Sequence, residues 1–181
     1  IGDLVGTRIV YLSRKPDSYW ESGYSGRIDT EWRQREGDAG GGVLIMNNIH
    51  DVDRLRYITG LEAERVFAEA DTFVTDVEVE DYLCATIRYT NGAIGNIETS
   101  SFINAGFQGG PYNRIYGETG TIVLADPLRV RTTEETRLGE AETWHEVDAE
   151  PFDLNFFEAF AEAVVEDTEV PVPAEDAMRS E

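Results

Sequence analysis

The chain has 181 residues and a hydrophobic content of 41%, which suffices for one substantial domain with a core. Its 36 acidic residues outnumber its 15 basic ones, and a net charge of −21 would repel DNA and RNA, which argues against a nucleic-acid partner. A single cysteine allows no intramolecular disulfide, and neither a membrane-length apolar run nor a secretory leader is present, so we expect a cytoplasmic protein without a membrane role.

Arginine supplies nearly all of the positive charge, because Lys15 is the only lysine. Acidic, lysine-poor surfaces are typical of proteins from salt-loving organisms, whose cytoplasm screens the repulsion between like charges. The composition therefore favours a halophilic protein, although a merely acidic one would carry the same charge. The chain begins at Ile1 without an initiator methionine and ends at Glu181 within a predicted helix, so we expect a piece of a longer protein.

The elements predicted along the chain are mostly short strands. They are a strand over 6–12, a loop with one helical turn over 18–35, a helix over 42–59, strands over 61–74, 79–89 and 93–103, a glycine-rich loop over 105–111, short strands over 113–116, 121–125, 128–132 and 143–147, and helices over 154–165 and from 173 onward. Because the strands follow one another and the helices are segregated, the pattern predicts an α+β fold, in which helices pack on one face of a mostly antiparallel sheet.

The hairpin around Asn91 and Gly92 is the clearest local signal, because Asn-Gly favours the tight turn that joins two strands. Residues of its first strand alternate between two faces, one with Leu83, Ala85, Ile87 and Tyr89 and the other with Tyr82, Cys84, Thr86 and Arg88. Neither face is fully charged, so we expect both to be covered, by a helix layer or by a partner subunit. Cys84 is interpreted as a small core residue.

The stretch from Gly40 to Gly60 holds the residues that suggest chemistry. Its apolar residues recur every three or four positions, which predicts an amphipathic helix: Ile45, Ile49, Val52, Leu55 and Ile58. The glycines at 40–42 permit an unusual backbone conformation or a close approach at its start, and Gly60 suits a left-handed cap at its end. A second stripe places Met46 and Asn47 about one turn before His50.

Several motifs follow in a recognisable order. They are EWR at 31–33, GGGVL at 40–44, IHDVDRLRYITG at 49–60, VEDY at 79–82, TNGAIG at 90–95, IYGETGTI at 115–122 and the apolar segment 156–164. Together they closely resemble the signature of the glucose–fructose oxidoreductase / inositol dehydrogenase family (Gfo/Idh/MocA). The resemblance covers nearly the whole chain, and the glycine–histidine block is its most specific part.

This resemblance implies that residues 1–181 form the single substrate-binding and oligomerisation domain of a two-domain dehydrogenase, with a dihydrodipicolinate-reductase-like fold. It implies a sugar, inositol or related polyol as substrate and a homo-oligomer assembled through the sheet. The N-terminal Rossmann domain, which binds NAD or NADP in this family, is expected to be absent from this chain, because no Gly-x-Gly-x-x-Gly turn is present.

The catalytic lysine of the family lies in a Glu-Lys-Pro segment at the domain junction, whereas Lys15 lies in Arg14-Lys15-Pro16. We therefore expect the full-length protein to be an enzyme and the chain alone to be inactive. A non-catalytic assembly or ligand-binding module of the same fold stays open as the alternative. A lysine at the domain junction of the full-length protein would favour the enzyme over that module.

The resemblance assigns a catalytic role to His50, as general base or hydrogen-bond partner of the substrate hydroxyl, and the imidazole titrates near neutral pH. Asn47, Arg33 and Met46 are assigned to substrate binding: Asn47 would orient the substrate or His50, and Arg33 would bind a hydroxyl or carboxylate. Met46 stands where the family often has an aspartate, and a methionine cannot relay a proton. This difference is what keeps the non-catalytic alternative open.

Plainer interpretations accompany these assignments. A lone histidine on a helix is often a surface or structural residue, and the plainer role for Asn47 is a hydrogen bond to the backbone near the helix start. Asp53 is expected to pair with an arginine. No metal site is expected, because adjacent helical residues such as His50 and Asp51 point apart and no second ligand clusters with them. The aromatic residues Trp20, Trp32, Phe107 and Tyr112 are candidates either for stacking on a sugar or for the core.

Overall fold

The computed structural model describes residues 1–23, 25–27, 30–103, 113–148 and 155–181; the loop predicted over 105–111 lies outside them. Within these ranges the strands are β1 (Leu4–Leu12), β2 (Ala63–Asp71), β3 (Tyr82–Tyr89), β4 (Ile94–Ser100), β5 (Arg114–Gly117), β6 (Gly120–Val123), β7 (Leu128–Thr132) and β8 (Trp144–Val147). The helices are α1 (Asp17–Ser22), α2 (Glu36–Ala39), α3 (Ile49–Thr59), α4 (Phe156–Glu166) and α5 (Ala174–Met178), with a 3₁₀ turn at Trp32–Gln34 and a π turn at Leu44–Asn48. None of the described helices is long and apolar enough to cross a membrane.

The strands form one sheet in the order β2-β3-β4-β1-β5-β6-β7-β8. Neighbours pair antiparallel except β1 and β4, which run parallel with Ile9 opposite Ile97. The hairpin of β3 and β4 is the predicted one, and Gly92 in its turn has a φ of 89°. The predicted α+β class with a mostly antiparallel sheet is confirmed.

Helix α3 covers one face of the sheet. Leu55 is 3% exposed and packs in one cluster with Ile9 of β1, Ile87 of β3 and Ile97 of β4. All four residues that the alternation placed on the first face of β3 are buried in this cluster: Leu83, Ala85, Ile87 and Tyr89. The residues that the alternation grouped on one face are therefore together on the face that the helix covers.

The helix predicted over 42–59 is present, but it is not regular throughout. Residues Leu44–Asn48 form the π turn, and α3 begins only at Ile49. A π turn holds more residues than an α-helical turn, so it shifts the phase of the residues before it. For this reason Leu44, and not Ile45, packs beside Val52 on the core. At the other end of the predicted apolar stripe Ile58 is half exposed, whereas the left-handed cap at Gly60 is confirmed by its φ of 66°.

The segment between the first strand and this helix is more helical than predicted. It contains α1, the 3₁₀ turn and α2, where a single helical turn was expected. Each of these elements is too short to show a helical period in the sequence. Tyr19 and Trp20 of α1 are buried and form a second apolar cluster with Val79, so Trp20 belongs to the core.

A buried carboxylate shapes the connection between β2 and β3. The side chain of Asp81 is fully buried and accepts hydrogen bonds from the backbone N–H groups of Phe73, Val74 and Thr75 at 2.9, 2.8 and 2.8 Å. These three donors compensate its charge and turn the chain. The two strands predicted over 61–74 and 79–89 are therefore shortened here, and they end at Asp71 and begin at Tyr82.

The opposite face of β2, β3 and β4 is exposed to solvent, and we call it the open face. It presents Phe67 of β2, Cys84 and Thr86 of β3, and Ile94 and Asn96 of β4. The interpretation of Cys84 as a core residue was wrong, because it alternates with the buried Leu83 and Ala85 and so points outward.

The chain comprises two compact units, Ile1–Val147 with the sheet and Asp148–Glu181 with the last two helices. The assignment of residues 1–181 to a single domain stays a prediction. In the second unit Asn155 caps α4, because its side chain accepts hydrogen bonds from the N–H groups of Phe157 and Glu158 at 3.1 and 3.3 Å. Helices were predicted at both positions, and residue 154, the expected start of the first, lies outside the described residues.

Candidate functional site

Two of the glycines at 40–42 allow the backbone to enter the π turn, each for a different reason. Gly40 caps the end of α2 in the left-handed region, with a φ of 74°. Its N–H donates to the carbonyl of Glu36, the first residue of α2. Gly42 makes a close approach instead: a Cβ there would lie 2.7 Å from Oε2 of Glu80 and nearer still to its carbonyl oxygen. The predicted unusual conformation and the predicted close approach are both present.

Glu80 holds the beginning of the segment that carries the predicted site residues. Its carboxylate accepts hydrogen bonds from the N–H of Gly42 at 2.5 Å and of Leu44 at 3.0 Å, and its carbonyl oxygen accepts from the N–H of Val43 at 3.1 Å. The first N–H groups of a helix have no partner within the helix, so Glu80 satisfies three of them. Glu80 lies in the motif VEDY, but the sequence indicated no role for it, because the contact joins positions 38 residues apart.

Asn47 and His50 lie on the segment that Glu80 holds. Asn47 is half-buried in the π turn, and His50 is exposed in the first turn of α3. Between them Asn48 is fully buried, and its side-chain oxygen and nitrogen have no hydrogen-bond partner in the described parts of the chain. The structure thus brings Asn47 and His50 to the same end of the helix and leaves the imidazole accessible to a substrate.

Asp51 attaches this end of the helix to the sheet. Its Oδ1 accepts from Nη2 of Arg54 at 2.6 Å and from Nδ2 of Asn113 at 2.9 Å, and Asn113 in turn accepts from the N–H of Val10 in β1 at 2.8 Å. Burial raises the pKa of the Asp51 carboxyl, while the charges of Arg54 and His50 and the Asn113 hydrogen bond act in the lowering direction. No sequence signal links Asp51 with Asn113, which lies 62 residues further on.

Arg33 is held by aromatic rings. Its guanidinium carbon lies 4.3 Å from the ring centroid of Trp32 and 5.2 Å from that of Tyr19. Both distances are within the range of a cation–π interaction. The hydrogen bonds and ion pairs found among the described residues do not link Arg33 with His50. Its part in the site therefore stays a prediction.

Met46 lies one turn before His50 and packs against the apolar cluster of Tyr19, Trp20 and Val79. Its side chain is half-buried there. Arg33 lies over Tyr19, a member of the same cluster, so two of the residues predicted to bind substrate lie beside one apolar cluster.

Lys15 reaches the same tyrosine. It is 8% exposed, its Nζ donates to the hydroxyl of Tyr11 at 2.8 Å, and the same atom lies 5.1 Å from the ring centroid of Tyr19. Lys15 was not predicted to belong to the site, because its sequence context differs from the junction motif of the family. In the structure it is buried and lies beside the Tyr19 ring, as Arg33 does.

The remaining candidates have simpler positions. Asp53 pairs with Arg56 at 3.9 Å, as predicted. Trp32 is 38% exposed, whereas Phe107 and Tyr112 lie outside the described residues. Across the described ranges, no three His, Cys, Asp or Glu side chains are grouped as a metal site would require.

Two of the solved structures that share this fold are dehydrogenases in complex with NADH. A levoglucosan dehydrogenase bound to NADH and levoglucosan matches 99% of this chain and 54% of its own, with a TM-score of 0.71 and 22% identity. The WlbA dehydrogenase from Bordetella pertussis, bound to NADH and UDP-GlcNAcA, matches 99% of this chain and 49% of its own, with a TM-score of 0.70 and 22% identity. The chain thus shares the fold of about half of each of these two structures.

The family model of the GFO/IDH/MocA C-terminal domain matches residues 1–123, and the chain belongs to this family, as predicted. It is 25% identical over 127 residues to a 1,5-anhydro-D-fructose reductase of Ensifer adhaerens, and this match covers 68% of this chain and 36% of the relative. It is 34% identical over 97 residues to a myo-inositol 2-dehydrogenase of Thermotoga maritima, and this match covers 51% of this chain and 28% of the relative. The chain therefore spans about a third of the curated relatives that it matches.

Proposed function

We propose that the chain is the substrate-binding and oligomerisation part of an NAD(P)-dependent oxidoreductase that acts on a hydroxyl group of a sugar, inositol or related polyol. The observation that carries this proposal is the position of His50, which is exposed at a helix start that Glu80 and Asp51 hold from two sides. An exposed imidazole on a fixed support suits proton transfer to a bound ligand better than it suits packing. The names of the two curated relatives support the substrate class.

His50 is the proton acceptor in this proposal. Oxidation of an alcohol to a carbonyl removes a hydride from the carbon and a proton from the oxygen, and a nicotinamide, when bound, accepts the hydride. The His50 imidazole takes the proton from the hydroxyl, and in the reductive direction it returns the proton to the carbonyl oxygen. The side-chain amide of Asn47, about one turn earlier, can both donate and accept hydrogen bonds and so orients the hydroxyl.

Arg33 and Met46 bind the rest of the substrate in this proposal. The planar guanidinium of Arg33 is already oriented by Tyr19 and Trp32, so its N–H groups lose little freedom when they bind a hydroxyl or carboxylate oxygen. Met46 contributes an apolar surface. Because a thioether relays no proton, His50 acts without a side-chain acid one turn before it.

A nicotinamide dinucleotide would be bound mainly by another part of the full-length protein. The 181 residues contain no Gly-x-Gly-x-x-Gly turn, the usual seat of a dinucleotide pyrophosphate. Either NAD or NADP therefore suits the proposal. We expect the 181-residue chain by itself to reduce neither cofactor.

We also propose that the open face joins copies of this chain in a homo-oligomer. Phe67 is 68% exposed and Ile94 is 48% exposed on this face, and exposed apolar side chains on a sheet are typical of a surface that another subunit covers. The net charge of −21 and the single lysine support a cytoplasmic, high-salt setting, in which counterions screen the repulsion between subunits.

The full-length protein in molar salt provides the test. Sugars and cyclitols are screened with NAD and with NADP for formation of the reduced nicotinamide, in the wild type and in His50→Ala. We expect His50→Ala to lower kcat by about 10²–10⁴-fold with cofactor binding intact. His145→Ala is the control, because His145 lies on β8 and its Nε2 hydrogen-bonds the carbonyl of Glu140 at 2.8 Å. Full activity of His50→Ala would contradict the catalytic assignment.

A non-catalytic assembly or ligand-binding module is the second candidate. Met46 favours it, since its side chain packs on the cluster around Tyr19 and supplies no acid beside His50. Calorimetry on the full-length protein distinguishes the two candidates. Binding of a polyol without turnover with either cofactor would favour the module over the enzyme.

A further inference from the structure

We propose that Glu80 is a positioning residue for His50, fixing the helix start from which Asn47 and His50 project. The catalytic part of this inference rests on the proposed function, whereas its structural part is independent of it. Three consecutive N–H groups, those of Gly42, Val43 and Leu44, all donate to oxygen atoms of Glu80. Glu80 thus fixes the backbone position of the three residues that lead into the π turn.

The position of Glu80 is itself fixed by the hydrogen bonds of its neighbour Asp81. The next residue, Asp81, is fully buried, and its carboxylate accepts from three N–H groups of the preceding loop. The backbone of Asp81 also bonds to both neighbouring strand ends, donating to the carbonyl of Asp71 at 3.2 Å and accepting from the N–H of Ser101 at 2.9 Å. Movement of Glu80 would therefore require the loop and the strand ends to move with it.

Gly42 lies close against Glu80. A Cβ on Gly42 would overlap the carbonyl oxygen of Glu80, so the two backbones are already in contact. Leu44 and His50 belong to the continuous helical segment formed by the π turn and α3. A tilt of the first turn is therefore transmitted to the imidazole, and a displacement of about 1 Å in a reacting group can cost about 10²-fold in rate.

The chain offers a matched control two residues earlier. Glu78 also accepts a hydrogen bond from a helix start, the N–H of Glu36 at 3.2 Å. Glu78 is exposed, and this is the one hydrogen bond found for its side chain among the described residues. The helix start that it contacts belongs to the short helix α2, which carries none of the proposed site residues. Glu78→Gln and Glu80→Gln make the same chemical change, so they separate the loss of a charge at a helix start from the loss of the position of His50.

The test uses the full-length enzyme. In Glu80→Gln an amide replaces one acceptor oxygen and faces an N–H donor, so we expect kcat to fall by about 10–100-fold while KM for the cofactor changes less than about twofold. Glu78→Gln should keep kcat within about twofold. In a His50→Ala background Glu80→Gln should have little further effect, because groups that act through one another are not additive. Glu80→Asp, which keeps the carboxylate, should recover part of the loss and serves if Glu80→Gln does not fold.

A second readout does not depend on turnover. In the ¹H–¹⁵N spectrum of the imidazoles, the His50 signals are identified by their loss in His50→Ala. We expect them to shift in Glu80→Gln and to stay in place in Glu78→Gln. Unmoved His50 signals, or an undiminished effect of Glu80→Gln in the His50→Ala background, would overturn the inference. Full activity of His50→Ala would instead overturn the proposed function, and the spectrum would still decide whether Glu80 positions His50.

Discussion

Asp51 is a half-buried carboxylate beside the residue that carries the proposed chemistry. Its side chain is 19% exposed, and burial raises the pKa of the carboxyl above its ordinary value of 3.8 despite the neighbouring charges of Arg54 and His50. The folded protein therefore favours the neutral carboxyl more than the unfolded chain does. The stability associated with this group is complete below the unfolded pKa and decreases as the pH rises through the folded pKa.

We therefore expect Asp51→Asn to gain stability relative to the wild type as the pH rises from about 4 to 7. The amide stays neutral and its oxygen still accepts from Asn113, whereas the wild-type carboxyl must ionise in a buried position. Urea unfolding of both proteins across this range gives the difference in the free energy of unfolding. Asp51→Ala is the control: it leaves Asn113 without this acceptor and should cost about 1 kcal/mol. If instead the wild type became more stable relative to Asp51→Asn as the pH rises, the charge of Arg54 would outweigh burial in its effect on the pKa of Asp51.

For single residues, the sequence predicted candidate site residues but not the contacts that hold the segment carrying them. His50 and Asn47 could be assigned because they lie in one motif, a few positions apart. Glu80 and Asn113 could not, because their hydrogen bonds join positions 38 and 62 residues apart, and only the fold determines which of the many acidic and amide side chains face the helix. Cys84 was misplaced for a similar reason, since the alternation separates two faces without showing which of them is buried.

At the scale of helices and strands, the sequence predicted the elements that depend on residues close together in the chain. The strands and the Asn-Gly hairpin follow from a period of two and a turn preference, and both are confirmed. The parallel pairing of β1 with β4 is a non-local contact, and α1 and α2 are shorter than a helical period needs to appear. The π turn escaped prediction because apolar spacing fits a regular helix nearly as well, and what holds the turn is Glu80.

The glycines of this region allow a prediction about the entry to the π turn. A Cβ on Gly42 would overlap Glu80, whereas a Cβ on Gly37 in α2 would meet no atom within 4 Å. Neither position has a positive φ, so backbone strain contributes to neither substitution. We expect Gly42→Ala to lower the free energy of unfolding by about 1–3 kcal/mol and Gly37→Ala to raise it by up to about 1 kcal/mol. Chemical denaturation of both variants provides the measurement, and equal values would show that the contact with Glu80 adapts without cost.

For the molecule as a whole, assembly of several copies must overcome the repulsion between their negative charges. Each chain carries −21, so an interface between copies needs apolar contacts and screening salt. The open face offers Phe67 and Ile94, and β2, which carries Phe67, forms one edge of the sheet. Because Phe67 is 68% exposed, changing it should affect association much more than folding.

We expect Phe67→Glu to convert the full-length protein in molar salt to smaller assemblies, because it removes a large exposed apolar side chain from the open face and adds one charge per subunit. Tyr57→Glu is the matched control: Tyr57 is 82% exposed on α3, which packs on the other face of the sheet, and the substitution adds the same charge. Sedimentation velocity at equal concentrations gives the subunit number of each protein. A lower subunit number in Phe67→Glu alone supports assembly through the open face. Equal changes in both variants would indicate a general effect of charge, and a monomeric wild type would rule out a stable oligomer through this face.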